Sequence, residues 1–297
     1  MTNLTLRQLS YCDALARHGH FGRAAEACAI SQPALSMQIK ELEQTLGMAL
    51  FERSGRKVSL TGFGEVFAER AREVLRAVDE LEALARTAQD GLAGPLRIGV
   101  IPTVAPYLLP RIVGRLAGLY PDLDIRIRES ITPTLIRELS EGRLDAAIVA
   151  LPVSEAHLDE TALFSESFVL VRPLEDAGRP VPDPDVLARM KLLLLEEGHC
   201  FREQALSFCG ADAPRPRELM DGSSLSTLVQ MVGAGIGVTL IPEMAVPVET
   251  RSAPVSVAAF APPQPSRTIG MIWRRTSPIA PQLRRIAEAI EDLRPIS

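Results

Sequence analysis

Ala24-Ala25-Glu26-Ala27-Cys28, then Ser31-Gln32-Pro33-Ala34-Leu35-Ser36, then a stop at Gly47, is the stretch that decides the fold of the N-terminal region. Ser31 is a residue type that caps a helix. Pro33 fits the first helical turn, where its missing N–H leaves no bond unmade. The spacing predicts a helix over 32–46, preceded by a short one over 22–29. Upstream, residues 5–18 place Leu6, Leu9, Ala14 and Leu15 on one stripe, the pattern of a core helix. Two helices joined by a tight connection, the second opening with small polar residues, form a helix-turn-helix. Downstream, residues 50–61 alternate about Ser54-Gly55 as a short hairpin carrying Arg53, Arg56 and Lys57, a basic wing. Residues 4–61 are therefore expected to form a winged helix-turn-helix.

From 62 to 90 the pattern is an uninterrupted helix, with Phe67, Ala71, Val74, Val78, Leu81, Ala85 and Ala88 spaced alternately by four and three. That spacing is a coiled-coil seam and predicts a dimerising linker helix. Gly91 and Gly94-Pro95 end it. Strand-like and helix-like segments then alternate to the C-terminus, an α/β pattern that the sequence suggests is parallel. The pattern restarts after Ser165, which predicts a regulatory domain over 95–297 in two lobes: 95–165 with 267–297, and 166–266.

Composition bounds the function. Of 297 residues, 46% are hydrophobic and 23% charged, the profile of a globular chain long enough for two domains. Neither an apolar run long enough to span a bilayer nor a basic leader with an apolar core is visible, so a cytoplasmic location with no membrane partner is expected. Net charge is −5, yet residues 1–61 carry seven Lys/Arg against five acids, which leaves the remainder at −7. Only the N-terminal end suits nucleic acid. Within it, Gln32, Ser36 and Gln38 are suited to reading bases, with Ser31 and Pro33 at the start of the same DNA-binding helix. Lys40 suits phosphate, Arg53 an adjacent minor groove, and Arg56 and Lys57 the DNA backbone.

The same block, continued through Leu50-Phe51-Glu52-Arg53 and Leu60-Thr61, resembles the DNA-binding domain of LysR-type regulators. The rest matches that family's layout of a long dimerising helix and a two-lobed, periplasmic-binding-protein-like (Rossmann-like) regulatory domain. Within the family, Gly198-His199-Cys200-Phe201-Arg202-Glu203-Gln204 with Ser207-Phe208-Cys209, and Ile101-Pro102-Thr103 through Pro110, resemble its peroxide-sensing group. Phe201 and Glu203 depart from residues more usual there, and Met37, in the reading helix, occupies a position that is basic in many LysR relatives.

The resemblance implies that Cys200 reacts with hydrogen peroxide and that Cys209 resolves it as a disulfide. It also implies that Thr103, Thr132, His199 and Arg267 bind and polarise the peroxide, in a pocket that includes Arg202. Further implications are a dimer of dimers, promoter DNA and RNA polymerase as partners, a thiol reductant system, and no cofactor, metal or enzymatic turnover.

The residues give this a physical basis. Cys200 is expected to open a helix after a Glu-Gly turn. There the helix dipole, with His199 and Arg202 beside it, favours the thiolate. Nine residues of helix span about 13 Å, whereas a disulfide needs Cα atoms within about 7 Å. A Cys200–Cys209 bridge therefore requires the helix between them to give way. Cys12 and Cys28, among apolar neighbours and without zinc-ligand spacing, read as buried packing residues. Two alternatives remain at this point: a LysR-type regulator of a small metabolite bound between the lobes, and a thiol peroxidase with an accessory helix-turn-helix. Alkylating the thiols separates the first from a peroxide sensor, and catalytic turnover identifies the second.

Overall fold

The computed structural model describes residues 4–54, 57–87, 92–208 and 220–293. The chain divides into two compact units, Met1–Ala88 and Gln89–Ser297. In the first, helices α1 (Leu6–His18), α2 (Phe21–Ala27) and α3 (Gln32–Leu46) precede a hairpin of β1 (Phe51–Ser54) and β2 (Lys57–Leu60) and a long helix α4 (Gly62–Thr87). Local chemistry sets each boundary. Thr5 and Gln8 form a capping box on α1, and Gly19 ends it in the left-handed region. Ser31 Oγ accepts from the Ala34 amide, and Gly47 closes α3 in the same conformation as Gly19.

The start of the wing is held from behind. Glu43 Oε1 accepts from the Leu50 and Phe51 amides at 2.8 and 3.1 Å. Thr61 Oγ1 donates to the Ala49 carbonyl and accepts from the Gly64 amide, which ties the hairpin to the start of α4. Gly64 admits no side chain, because a Cβ there would lie 2.0 Å from the Leu50 carbonyl oxygen.

Helix α4 corrects the reading of its apolar seam. Ala68 and Ala71 are buried, Phe67 packs on the core of the first unit, and Arg72 pairs with Asp13 of α1 at 3.2 Å. The N-terminal half of the seam thus serves its own domain. Val74 and Leu81 are exposed, Leu81 at 65%. The Ala85 side chain and Ala88 lie outside the described residues.

The second unit runs β3 (Gly94–Val100), α5 (Ala105–Leu119), β4 (Leu123–Glu129), α6 (Thr132–Ser140), β5 (Ala146–Leu151), β6 (Leu158–Pro173) and α7 (Pro184–Leu187). It continues through β7 (Leu193–Leu195), α8 (Cys200–Phe208), β8 (Met220–Gly222), α9 (Leu225–Gly233) and β9 (Thr239–Pro242). It ends with α10 (Val246–Glu249), β10 (Val255–Ala259), β11 (Ser266–Arg274) and α11 (Ala280–Glu291). The main sheet has the order β10-β6-β11-β5-β3-β4, with β9 also on β6. It is mixed, not parallel: β3 pairs parallel with β4 and β5, while β6 and β11 run antiparallel to their neighbours. The expectation of a parallel sheet failed because alternating α and β segments do not reveal strand direction where a strand returns from the other lobe.

Two apolar cores flank this sheet, one under β3, β5, β11, α5 and α11, the other under β7, β9, α8 and α9. Strand β6 belongs to both. Leu158, Leu163 and Phe164 enter the first core, and Phe168 to Val171 enter the second. The chain thus passes between lobes inside one unbroken strand and returns where β11 begins at Ser266. Residues 158–167 were not expected to be a strand, because Asp159, Glu160, Thr161, Ser165, Glu166 and Ser167 interrupt the apolar signal. They pair with β11 all the same. No helix among the described residues is long and apolar enough to cross a membrane.

Candidate functional site

Three helix starts, those of α5, α6 and α8, come together through Thr103, Ile131 and Phe201. Helices α5 and α6 follow β3 and β4, whose C-terminal ends lie side by side, Val100 opposite Glu129. In open α/β sheets this edge is where ligands bind. Helix α8 enters from the other lobe. The turn before it needs glycine: Gly198 has φ +94°, and a Cβ there would meet Ile131 Cδ1 at 2.9 Å. Ile131 is the residue before α6, so this contact sets the turn leading to Cys200 beside the start of α6. Cys200, the first residue of α8, is half-buried and packs against the core of the opposite lobe.

Behind it lies a buried polar cluster. Arg267, on β11, is 3% exposed. Its Nη1 donates to Thr103 Oγ1 at 2.8 Å and its Nη2 to the Thr103 carbonyl at 3.1 Å. Its Nε donates to Glu166 Oε1 at 2.7 Å, across a register in which Arg267 and Glu166 face each other on β11 and β6. The guanidinium carbon lies 5.4 Å from the centre of the Phe201 ring, a cation–π distance. Phe201, next to Cys200, is itself wedged edge-on against Phe168 at 4.8 Å. Thr132 Oγ1, at the first position of α6, is buried with no hydrogen-bond partner.

Burial pushes the Glu166 carboxyl up, while the Arg267 charge, its hydrogen bond and the Met244 backbone pull it back. His199 is pushed down by burial, with Glu196 opposing. It is therefore neutral near pH 7 and supplies a hydrogen-bonding group beside Cys200, the first of the two ways, donor or positive charge, in which it was expected to act. Arg202 Nη1 donates to the Leu195 carbonyl at 2.7 Å, at the end of β7.

Of the residues read from sequence, Thr103 and Arg267 thus touch directly. Thr132 begins α6, His199 and Cys200 stand at the start of α8, and Cys209 lies outside the described residues. Sequence reasoning missed Glu166, since nothing local ties it to a residue 101 positions away. It also missed a second link between the lobes, where Tyr107 of α5 donates to Glu249 Oε1 at 2.6 Å and Ser226 donates to Glu249 Oε2 at 2.5 Å. Burial and this hydrogen bond push the Tyr107 hydroxyl far up, so it remains protonated. A tyrosine beside apolar neighbours in 101–110 was the available signal.

In the first unit, Leu35, Ile39 and Leu42 of α3 face inward, while Pro33, Met37 and Lys40 are exposed on the opposite side. Gln32 is exposed, Ser36 half-buried, and Ser31 is engaged as the cap. Gln38 is half-buried, with its Nε2 donating to Glu41 at 2.8 Å. Arg53 and Lys57 lie on the wing strands, their side chains outside the described set, and Arg56 lies wholly outside it. Cys12 is fully buried, its thiol pushed up to about 12 by burial, and Cys28 is raised by the same cause. Neither is poised to react.

Residues 6–65 match the bacterial regulatory helix-turn-helix family of LysR type, and residues 89–294 match the LysR substrate-binding domain. The chain belongs to the LysR family of bacterial regulators. It is 43% identical over 291 residues to the DNA-binding transcriptional dual regulator OxyR of Escherichia coli K12, spanning 97% of this chain and 95% of the relative. It is 40% identical to the hydrogen peroxide-inducible genes activator of Haemophilus influenzae, with 97% of each chain covered.

Among solved structures it is similar to a full-length OxyR of Pseudomonas aeruginosa in which a cysteine is replaced by aspartate. The TM-score is 0.77 at 38% identity, over 98% of this chain and 96% of that one. A cysteine-to-serine OxyR of Corynebacterium glutamicum with hydrogen peroxide bound gives 0.66 at 36% identity, over 97% and 92%. The LysR-type architecture, an N-terminal helix-turn-helix and a two-lobed substrate-binding domain, is therefore common to all of them.

Proposed function

We propose that this LysR-family chain is a transcription regulator that senses hydrogen peroxide at Cys200 and answers through a Cys200–Cys209 disulfide. The observation that carries the reading is the setting of Cys200. It heads α8 and packs on the core of the opposite lobe, next to Phe201, whose ring lies under Arg267, the residue that holds Thr103. The thiolate sulfur attacks one peroxide oxygen, the O–O bond breaks, and the departing hydroxide takes a proton to become water. The Thr103 and Thr132 hydroxyls supply the donors such a leaving group needs, with the Arg267 charge behind Thr103. The sulfenic acid left on Cys200 condenses with the Cys209 thiol, releasing a second water, and a dithiol reductant restores both thiols.

Promoter DNA is the partner of the first unit, with Gln32, Ser36 and Gln38 toward bases, Lys40 toward phosphate, Ser31 and Pro33 at the start of the reading helix, and Arg53, Arg56 and Lys57 from the wing. The exposed part of the α4 seam, Val74 and Leu81, pairs two chains. Such dimers associate again through their regulatory domains, act on RNA polymerase and work in the cytoplasm.

The test is a thiol map. Reduced full-length chain is exposed briefly to dilute peroxide, then alkylated and digested. The reading predicts that Cys200 and Cys209 are recovered as one bridged peptide pair while Cys12 and Cys28 take up the alkylating reagent. Recovery of Cys200 as a fully alkylated thiol contradicts it.

A further inference from the structure

Glu166 is the buried acid that the reaction just described does not use, yet it governs how the cluster is set. An arginine side chain has many rotamers, and this one is fixed by three partners: the carboxylate on Nε, the Thr103 hydroxyl on Nη1 and the Thr103 carbonyl on Nη2. Only the carboxylate carries the opposite charge, and it reaches Arg267 from a directly opposed strand position, so backbone pairing places it before any ligand arrives.

The consequence falls on Thr103. A hydroxyl has one proton and two acceptor sites. Because Arg267 Nη1 fills an acceptor site of Thr103 Oγ1, the proton must point away from the guanidinium, and it donates to no described residue. Thr103 is 2% exposed, so bulk water does not take that role.

We infer that Glu166 is a positioning residue for peroxide reduction: by locking Arg267 it aims the Thr103 hydroxyl proton at the oxygen that leaves Cys200's attack. This rests on the peroxide-sensing reading. Glu166 exchanges no proton with peroxide and touches no reacting atom. Its effect passes through Arg267 to Thr103, and it should therefore discriminate between reagents. Peroxide needs a donor for its leaving oxygen, whereas iodoacetamide, which alkylates the same thiolate with iodide leaving, does not.

The experiment measures both rates at Cys200 in the full-length chain, for the parent, Glu166→Gln, Thr103→Val and the double variant. Removing an outer partner that orients a metal ligand costs roughly 10- to 100-fold, and a loss of the same order is expected for an outer partner that orients a reacting donor. Glu166→Gln is expected to slow peroxide oxidation by that factor and leave alkylation unchanged. In the Thr103→Val background it is expected to slow peroxide no further. Equal slowing of both reagents, or losses that multiply in the double variant, would overturn the inference.

Should Glu166→Gln fail to fold for want of a partner to Arg267, the neutral pair Glu166→Gln/Arg267→Gln replaces it. That pair should match Arg267→Gln alone in peroxide rate, and a slower rate overturns the inference. A parent chain indifferent to peroxide would sink the sensing reading itself, and this inference with it. A reactive parent with an unaffected Glu166→Gln sinks only the positioning role.

Discussion

Helices α3 and α8 do opposite work, and their construction differs accordingly. Helix α3 has fifteen residues, a serine cap, a proline in its first turn, a left-handed glycine at its end, and Leu35, Ile39 and Leu42 buried to the hilt. Helix α8 has nine residues and buries two, Phe201 and Ala205. A DNA reader gains from being the same in every state. A sensor whose cysteines are to meet must sit near the low end of local stability, because the helix between them has to open. The contrast teaches that rigidity is distributed by task within one chain.

The largest effect expected is on the chemistry of α8. Cys200→Ser has no thiolate to oxidise, so the peroxide-induced change in DNA binding should vanish while reduced-state affinity stays. Gel-shift titrations with and without peroxide measure this, and a retained response in that variant breaks the comparison.

Next come the anchors. Phe201→Ala should cost about 3–5 kcal/mol and Leu35→Ala about 2–5 kcal/mol. The comparison predicts different victims. Leu35→Ala should lower the melting temperature of both redox forms alike. If the proposed disulfide releases α8, Phe201→Ala should weaken chiefly the reduced form and should shift the dithiol–disulfide balance toward disulfide in a thiol redox buffer. Equal melting losses in both forms for Phe201→Ala would mean α8 stays docked on oxidation.

Smaller is the cap. Ser31→Ala removes the acceptor for the Ala34 amide and should destabilise the first unit by about 0.5–2 kcal/mol. Operator affinity should fall by the same factor in reduced and oxidised protein, and a redox-dependent loss would say that α3 too changes with state.

The smallest expected effect is from pH. His199 is depressed by burial, so below the ordinary histidine range the unfolded state binds a proton that the folded state resists. The stability tied to a neutral His199 is fully present above about pH 6.5 and declines as pH falls through the interval down to its lowered pKa. Hydrogen exchange near residues 198–202 should quicken over that interval, and His199→Gln should abolish the trend.

Much of the first unit was legible because its signals are local. Ser31, Pro33 and Gly47 state where α3 begins and ends without reference to anything distant. The regulatory unit was legible in its apolar strands and opaque where charge was buried. Glu166 and Asp159 broke the alternation of β6 and read as loop residues, yet they meet Arg267 and Arg275 from β11 and the residues after it. The Glu166–Arg267 pair is buried and the Asp159–Arg275 pair lies near the surface, yet in sequence both look like isolated charges until topology joins them. Thr103 and Thr132 gained roles only through resemblance, for a threonine after a strand has no signature of its own.

The most direct measurement reads chemistry and function in one sample: the full-length chain, bound to promoter DNA, is treated briefly with peroxide, then footprinted and peptide-mapped. The account predicts that the Cys200–Cys209 disulfide and an altered footprint appear together and that a dithiol reverses both. A footprint that shifts while Cys200 and Cys209 remain thiols, or a bridge that forms while footprint and transcription stay unchanged, would contradict it.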